Sequence, residues 1–210
     1  MMIIELYRKS FKHISQHKLY CLFALVLFIG INFWNDIYFK VISDNPTMSS
    51  MLVVLLITLF EILLIVSVFT TFMNKFSKTL IYYPAYLFRF LGYSLKVCLG
   101  FILIIYPGLK WGFEDYFAPE LAIIEADNLQ SGPEMSRSIF KKNPKQTILV
   151  ILGAILPIFG NFLFFMILKK YVTEGMVVTF CSSLMASILT VMIISYTYEF
   201  LSKQSELMSD

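Results

Sequence analysis

Long apolar runs alternate with short polar interruptions along the whole chain, and the run lengths decide what those runs are. Residues 19–39, 51–73, 88–106, 147–168 and 177–201 each come close to the ~20 residues an α-helix needs to cross a hydrocarbon core. The polar stretch Ser43-Asp44-Asn45-Pro46-Thr47 separates the first two. Residues 1–18 differ in kind. Ile3, Ile4, Tyr7, Phe11 and Ile14 recur at helical spacing while Arg8, Lys9, Lys12 and His13 face elsewhere. That pattern predicts an amphipathic helix, either lying in the headgroup plane or extending the first span inward. No small-x-small cleavage pattern follows the first run, which reads as a retained membrane helix rather than a leader.

Residues 109–126 are apolar in part but carry Lys110, Glu114, Asp115, Glu120 and Glu125. A helix with that charge density crosses a membrane only with its polar face toward other helices or water. Charge bias argues that it does cross. Basic residues cluster at Arg8, Lys9, Lys12 and Lys18, again at Lys75, Lys78 and Arg89, and again at Arg137, Lys141, Lys142 and Lys145. The positive-inside rule assigns all three clusters to the cytoplasm, and 109–126 is the segment left to bring the chain back. Lys169 and Lys170 fall on the outer side and break the rule. The expected fold is all-α: a single integral domain over residues 1–210, six transmembrane helices and both termini inside. Composition agrees. Of 210 residues, 58% are hydrophobic and 15% charged, with a mean hydropathy of +0.75, more apolar surface than a soluble domain of this size can hide.

Local signals refine the boundaries. Ser131-Gly132-Pro133-Glu134 has capping-box spacing and predicts a short basic helix from about residue 133 to 142, with Met135, Ile139 and Phe140 on one side. Asn143-Pro144 then restarts the chain as N-cap and first helical residue. Pro107 removes a backbone donor and crowds the carbonyl of Leu103, with Gly108 releasing the turn, so the third span is expected to end there. Pro119 acts likewise on the carbonyl of Asp115 and predicts a bend halfway along the fourth. These kinks serve either bundle fit or a ligand cleft.

The order Ile105-Tyr106-Pro107-Gly108-Leu109, Tyr116-Phe117-Ala118-Pro119-Glu120, Met135-Ser136-Arg137-Ser138 and Lys141-Lys142-Asn143 resembles the YciC-type bacterial inner-membrane proteins. It also resembles the membrane domain joined to some bacterial glycerophosphodiester phosphodiesterases. The resemblance covers about forty residues directly. It implies a multi-pass protein of the bacterial inner membrane without activity of its own, since hydrolysis in the fused proteins belongs to a separate soluble barrel. No nucleophile elbow, phosphate loop or paired-Cys motif occurs in this sequence.

The chemistry to place is therefore intramembrane charge. Glu61 sits mid-span among Leu, Ile, Phe and Val, where an unpaired carboxylate costs at least ~2.5–3.5 kcal/mol. Lys96 is a candidate partner, within roughly 7 Å in depth at ~1.5 Å rise per residue; alternatively it snorkels and Glu61 is a neutral packing group. Glu114 and Asp115 point about 100° apart and do not form a dyad, whereas Lys110 and Glu114 have pairing spacing. Arg137 with Lys141 one turn later suits either a lipid phosphate or a generic basic anchor. His13 and His17 have metal-pair spacing but no evident third ligand.

Cys21, Cys98 and Cys181 lie in apolar runs, an odd and wide set that reads as packing rather than a framework. Gly153, Pro157 and Gly160 in one span, and Thr179, Ser183, Ser187 and Thr190 in the next, read as close-packing faces. Expected partners are membrane lipids, and other membrane proteins or a second copy. No cofactor, metal or nucleic acid is expected, and the net charge of +3 is mild. Three functions are set against these readings: a non-enzymatic module that binds or moves a lipid or amphiphile or supports membrane-associated partners; a small transporter or channel with a polar path of Glu61, Lys96, Glu114 and Asp115; and, third, an intramembrane enzyme, for which the residues supply no acid–base–nucleophile set.

Overall fold

The computed structural model describes residues 2–44, 47–103, 105–124, 131–171 and 176–209, and every regular element among them is helical. In chain order these are α1 (Met2–Gln16), α2 (Lys18–Asp44), α3 (Met48–Phe72), a 3₁₀ turn (Phe76–Lys78), α4 (Thr79–Leu103), α5 (Ile105–Glu114), α6 (Ala118–Ile124), α7 (Ser131–Lys142), α8 (Pro144–Tyr171) and α9 (Met176–Ser209). Five stretches are long and apolar enough to cross a bilayer: Lys18–Asn35, Met48–Phe72, Phe76–Ile102, Pro144–Leu168 and Val177–Gln204. At most 33% of any of them is buried inside the chain, so the apolar remainder needs lipid around it. Leu19, Leu56, Ile81, Ile102, Phe162 and Val177 are among the side chains left facing outward. The chain is a multi-pass helical membrane protein.

Several ends are set by local chemistry. Thr47 caps α3 in a reciprocal box: its hydroxyl accepts the Ser50 N–H, and its own N–H donates to the Ser50 hydroxyl. At the other end Asn74 takes a left-handed φ of 55°. The Lys75 N–H then donates to the Thr70 carbonyl at 2.8 Å and the Asn74 N–H to that of Thr71 at 2.9 Å, a Schellman closure with Asn in place of Gly. Asn143 interrupts and Pro144 opens α8, as the sequence predicts; α7 starts two residues earlier than expected.

α2 and α9 run antiparallel. The Asn32 side-chain N–H donates to the Ser187 hydroxyl at 3.1 Å, and Phe33 meets Phe180 edge to face. Ser183 and Ser187 are buried here, each donating back to a carbonyl four residues earlier, so the small-residue stripe is a helix seam. Gly153 of α8 faces the Tyr196 ring of α9, where an added Cβ would lie 2.6 Å from the phenolic oxygen. Gly160 meets nothing and is exposed. Cys21 is buried in the core, whereas Cys98 and Cys181 are exposed, so packing explains only the first.

α1 is more embedded than an interfacial helix. Leu6 and Ser10 are buried, the Ser195 hydroxyl of α9 donates to the Ser10 carbonyl, and the Tyr7 hydroxyl donates to the Gly153 carbonyl of α8. Ile3, Tyr7 and Ile14 pack on the core as their spacing predicts, but Ile4 and Phe11 are exposed. The buried face is thus centred one residue off the sequence expectation, on Leu6 and Ser10.

The fourth segment departs most from expectation. Residues 109–126 are not one helix; α5 ends at Glu114, residues 115–117 turn, and α6 restarts at Ala118, with residues 125 and 126 outside the described set. Pro119 lies in the first turn of α6, where a missing donor costs nothing, so the chain breaks there and does not merely bend. The third span also shifts. α4 starts at Thr79 rather than residue 88 and ends at Leu103, ahead of Pro107, which falls in the first turn of α5. Gly108 is a contact point and not a hinge. A Cβ on it would meet the Phe101 backbone nitrogen at 2.7 Å, and one on Gly100 would meet Gly108 Cα at 2.7 Å. The two glycines let α5 fold tightly back along α4, which α6 then continues. Lys110 and Glu114 form no ion pair among the described residues.

Candidate functional site

The break between α5 and α6 presents one acid. The Asp115 N–H still donates to the Trp111 carbonyl, and its own carbonyl accepts from the Ala118 N–H, both at 3.0 Å. The side chain therefore leaves the helix end sideways. Its Oδ1 accepts from Arg137 Nε of α7 at 2.7 Å, and Oδ2 accepts from Arg137 Nη2 at 3.3 Å and from the Lys96 ammonium of α4. This is a forked guanidinium–carboxylate pair with a second cation added. The Asp115 side chain is 5% exposed, against 30% for Lys96 and 42% for Arg137. Hydrogen bonding to Asp115 holds the Arg137 guanidinium above its usual pKa, with the acid's charge adding to that.

Neighbouring bonds fix the acid in place. The Ser136 hydroxyl donates to the Glu114 carbonyl at 2.8 Å and accepts the Phe117 N–H at 3.3 Å, so α7 clasps both sides of the break. The Tyr93 hydroxyl donates to the Gly112 carbonyl at 3.1 Å, and Lys96 lies 5.2 Å over the Trp111 ring, a cation–π contact. Beside this cluster is a cavity of about 160 Å³, lined by Phe88, Arg89, Gly92, Tyr93, Lys96, Asp115, Ala118, Pro133 and Arg137. Three cations and one carboxylate share it with apolar walls. Such an arrangement can hold charge on a ligand whose remainder is apolar.

Of the sequence candidates, Lys96, Asp115 and Arg137 come together. Glu61 does not join them: Lys96 pairs with Asp115, and Glu61 stays half-buried on α3 with no ion pair among the described residues. Depth along two spans does not decide the pairing, because the returning segment brings a third group, Asp115, to Lys96. Glu114 lends its backbone carbonyl, while its side chain lies outside the cavity, so the four-residue polar path is not assembled. Lys141 is exposed and lies outside the cavity; Arg89 stands where that second cation was expected.

Arg89 counts in the sequence only as one of the basic residues that follow the second span. On α4, Arg89, Gly92, Tyr93 and Lys96 fall at i, i+3, i+4 and i+7, one helical face. Glu120 escaped notice as a partner in this region; its Oε2 is buried without a hydrogen bond.

A second acid-centred cluster joins the first helix to the last. Glu199 of α9 accepts from His13 Nε2 at 2.9 Å and pairs with Lys203 at 3.2 Å and Lys9 at 4.0 Å. A cleft of about 500 Å³ beside it is lined by Arg8, Lys9, Lys12, His13, Gln16 and Glu199. His13 also meets the Tyr198 ring edge-on, and His17 tilts against Phe72, so the two histidines have aromatic and carboxylate neighbours. No group of three metal-ligating side chains occurs among the described residues. Glu199 was readable as an acid closing an apolar run, but its partners lie at the opposite end of the sequence.

The fold and this geometry define the class, a multi-pass helical membrane protein with two acid-centred clusters. No family model, curated protein or solved structure matches the chain.

Proposed function

We propose that this is a non-enzymatic multi-pass protein of the bacterial inner membrane whose α4–α7 cavity binds, or helps to move, a lipid or another amphiphile. One observation carries the reading: buried Asp115, held by cations from two other helices, borders a cavity that also has Phe88, Tyr93, Ala118 and Pro133 in its wall. A charged floor with apolar sides suits a molecule that is polar at one end. The likeness of residues 105–143 to the YciC-type proteins belongs to the same proposal, as does the absence of catalysis.

Six crossings with both termini in the cytoplasm fit this reading. α9 ends where α2 begins, the end of α3 meets the start of α4 through the Thr70–Thr79 hydroxyl pair, and the first half of α8 meets the second half of α9. α4 thus leaves the end of the bundle from which α8 departs, and α5 with α6 supplies the return. Pairing of Glu199 with both Lys9 and Lys203 keeps the two chain ends on one side.

Native mass spectrometry of the protein extracted in mild detergent tests the proposal. Gly92 lines the cavity, and a Cβ there meets nothing within 4 Å, so Gly92→Leu adds side-chain volume at the cavity wall without a clash at its Cβ. The wild type is expected to retain an amphiphile that Gly92→Leu releases with its fold intact. Equal retention by both would sink the assignment to this cavity.

A further inference from the structure

We infer that the cavity takes an anionic phosphate group, with Arg89 as its principal donor; this rests on the amphiphile reading and names the ligand's polar end. Both oxygens of Asp115 are already occupied by Lys96 and Arg137. Arg89 is half-buried on the same wall and has no ion pair among the described residues. Three cations against one carboxylate leave an excess of two positive charges in the lining. Glu114 and Glu134 are near enough to influence Arg137, yet neither lines the cavity. A guanidinium withdrawn from water without an anion is unfavourable, and its planar fork matches phosphate oxygens.

Size agrees. On a measure where one water takes about 10–15 Å³, 160 Å³ is ample for a group the size of a phosphate. Arg137 keeps Nη1, and Lys96 keeps further N–H donors, so both retain donors to offer an anion in the cavity they line with Arg89. Phe88 is part of the lining and is itself 76% exposed, and Leu91 and Leu95 are exposed on α4. Those residues give a path for acyl chains from the cavity to surrounding lipid.

The test uses the full chain in detergent with Trp34→Phe, which leaves Trp111, the ring under Lys96, as the sole tryptophan reporter. Dihexanoyl phosphatidic acid, dihexanoylglycerol and inorganic phosphate are titrated separately. Phosphatidic acid is expected to change Trp111 emission at saturable concentrations and dihexanoylglycerol to bind at least about tenfold more weakly. Arg89→Gln is expected to weaken phosphatidic acid by about tenfold, one charge-assisted hydrogen-bonding group. Arg89→Lys, which keeps the charge, should recover part of that and controls for a folding defect.

Inorganic phosphate binding as tightly as the lipid would support the anion and remove the lipid from the proposal. Equal binding of phosphatidic acid and dihexanoylglycerol, indifferent to Arg89→Gln, would overturn the phosphate inference and leave the amphiphile reading standing. Folded protein that binds none of the three would overturn both.

Discussion

The two acid-centred clusters use the same ingredients and differ in where each partner comes from. Asp115 draws its cations from two other helices, 19 residues earlier and 22 later in the chain. Glu199 takes Lys203 from its own helix, one turn away, and His13 and Lys9 from the first helix. The side chain of Asp115 is 5% exposed and that of Glu199 is 11%. The larger difference is that Asp115 sits at a helix break next to a cavity whose other arginine, Arg89, is half-buried, whereas Glu199 lies within a continuous helix and the arginine of its cleft, Arg8, is exposed. Both acids are buried, so removing either leaves cations unpaired, and the cost falls as those cations are exposed to water. Asp115 therefore organises a site, and Glu199 fastens α1 to α9.

That contrast can be broken experimentally, beginning with the acid itself. Asp115→Ala is expected to destabilise the protein by about 3 kcal/mol, read as a drop in thermal unfolding midpoint in detergent, because two cations lose their counter-charge and their partial exposure holds the cost to the low end of that for a broken buried pair. Replacing Asp115 with Leu together with Lys96→Met and Arg137→Met should recover most of that stability, though not ligand binding. A triple variant as unstable as the single one would contradict the charge explanation.

Next in size is the packing that delivers Asp115. Gly108→Ala forces a Cβ into the Phe101 backbone and should cost about 1–3 kcal/mol, with Gly160→Ala, which meets open space, as the near-silent control. Equal behaviour of the two variants would mean that α5 does not lie closely against α4. Smaller again is Glu199→Gln, expected to cost about 1 kcal/mol and to leave ligand retention unchanged. The contrast between clusters fails if this variant matches Asp115→Ala. Smallest is Glu61→Gln, expected to leave retention of the amphiphile unaltered, since Glu61 touches neither cluster.

Much of the fold was legible because bilayer crossing leaves a strong imprint on composition. Run length placed five spans, and Asn143-Pro144 placed the join between α7 and α8. Spacing alone found the Ser183–Ser187 seam and the packing of Gly153. The fourth segment was legible in direction but not in form: charge bias required a return, yet hydropathy carries no sign that residues 115–117 break it into two short helices. Lys96 stood out as a charge within an apolar span, Asp115 as one of the acids of the charged fourth segment, and Arg137 as the first of a basic pair on the short helix before the fifth span. Their joining was not readable, because it depends on α5 folding back at Gly100 and Gly108, a close approach fixed by two missing side chains. Arg89 was lost for a simpler reason. Grouping it by charge with Lys75 and Lys78 hid that it shares a helix face with Gly92, Tyr93 and Lys96.

Irradiation of the protein in nanodiscs carrying a phosphatidic acid with a diazirine close to its headgroup, followed by peptide mapping, addresses the cavity most directly. Labels are expected on residues 88–96, 115–118 and 133–137, and Gly92→Leu should abolish them. Labels spread instead along the outward face of α8 from Ile155 to Phe162, unchanged by Gly92→Leu, would contradict a binding site at Asp115.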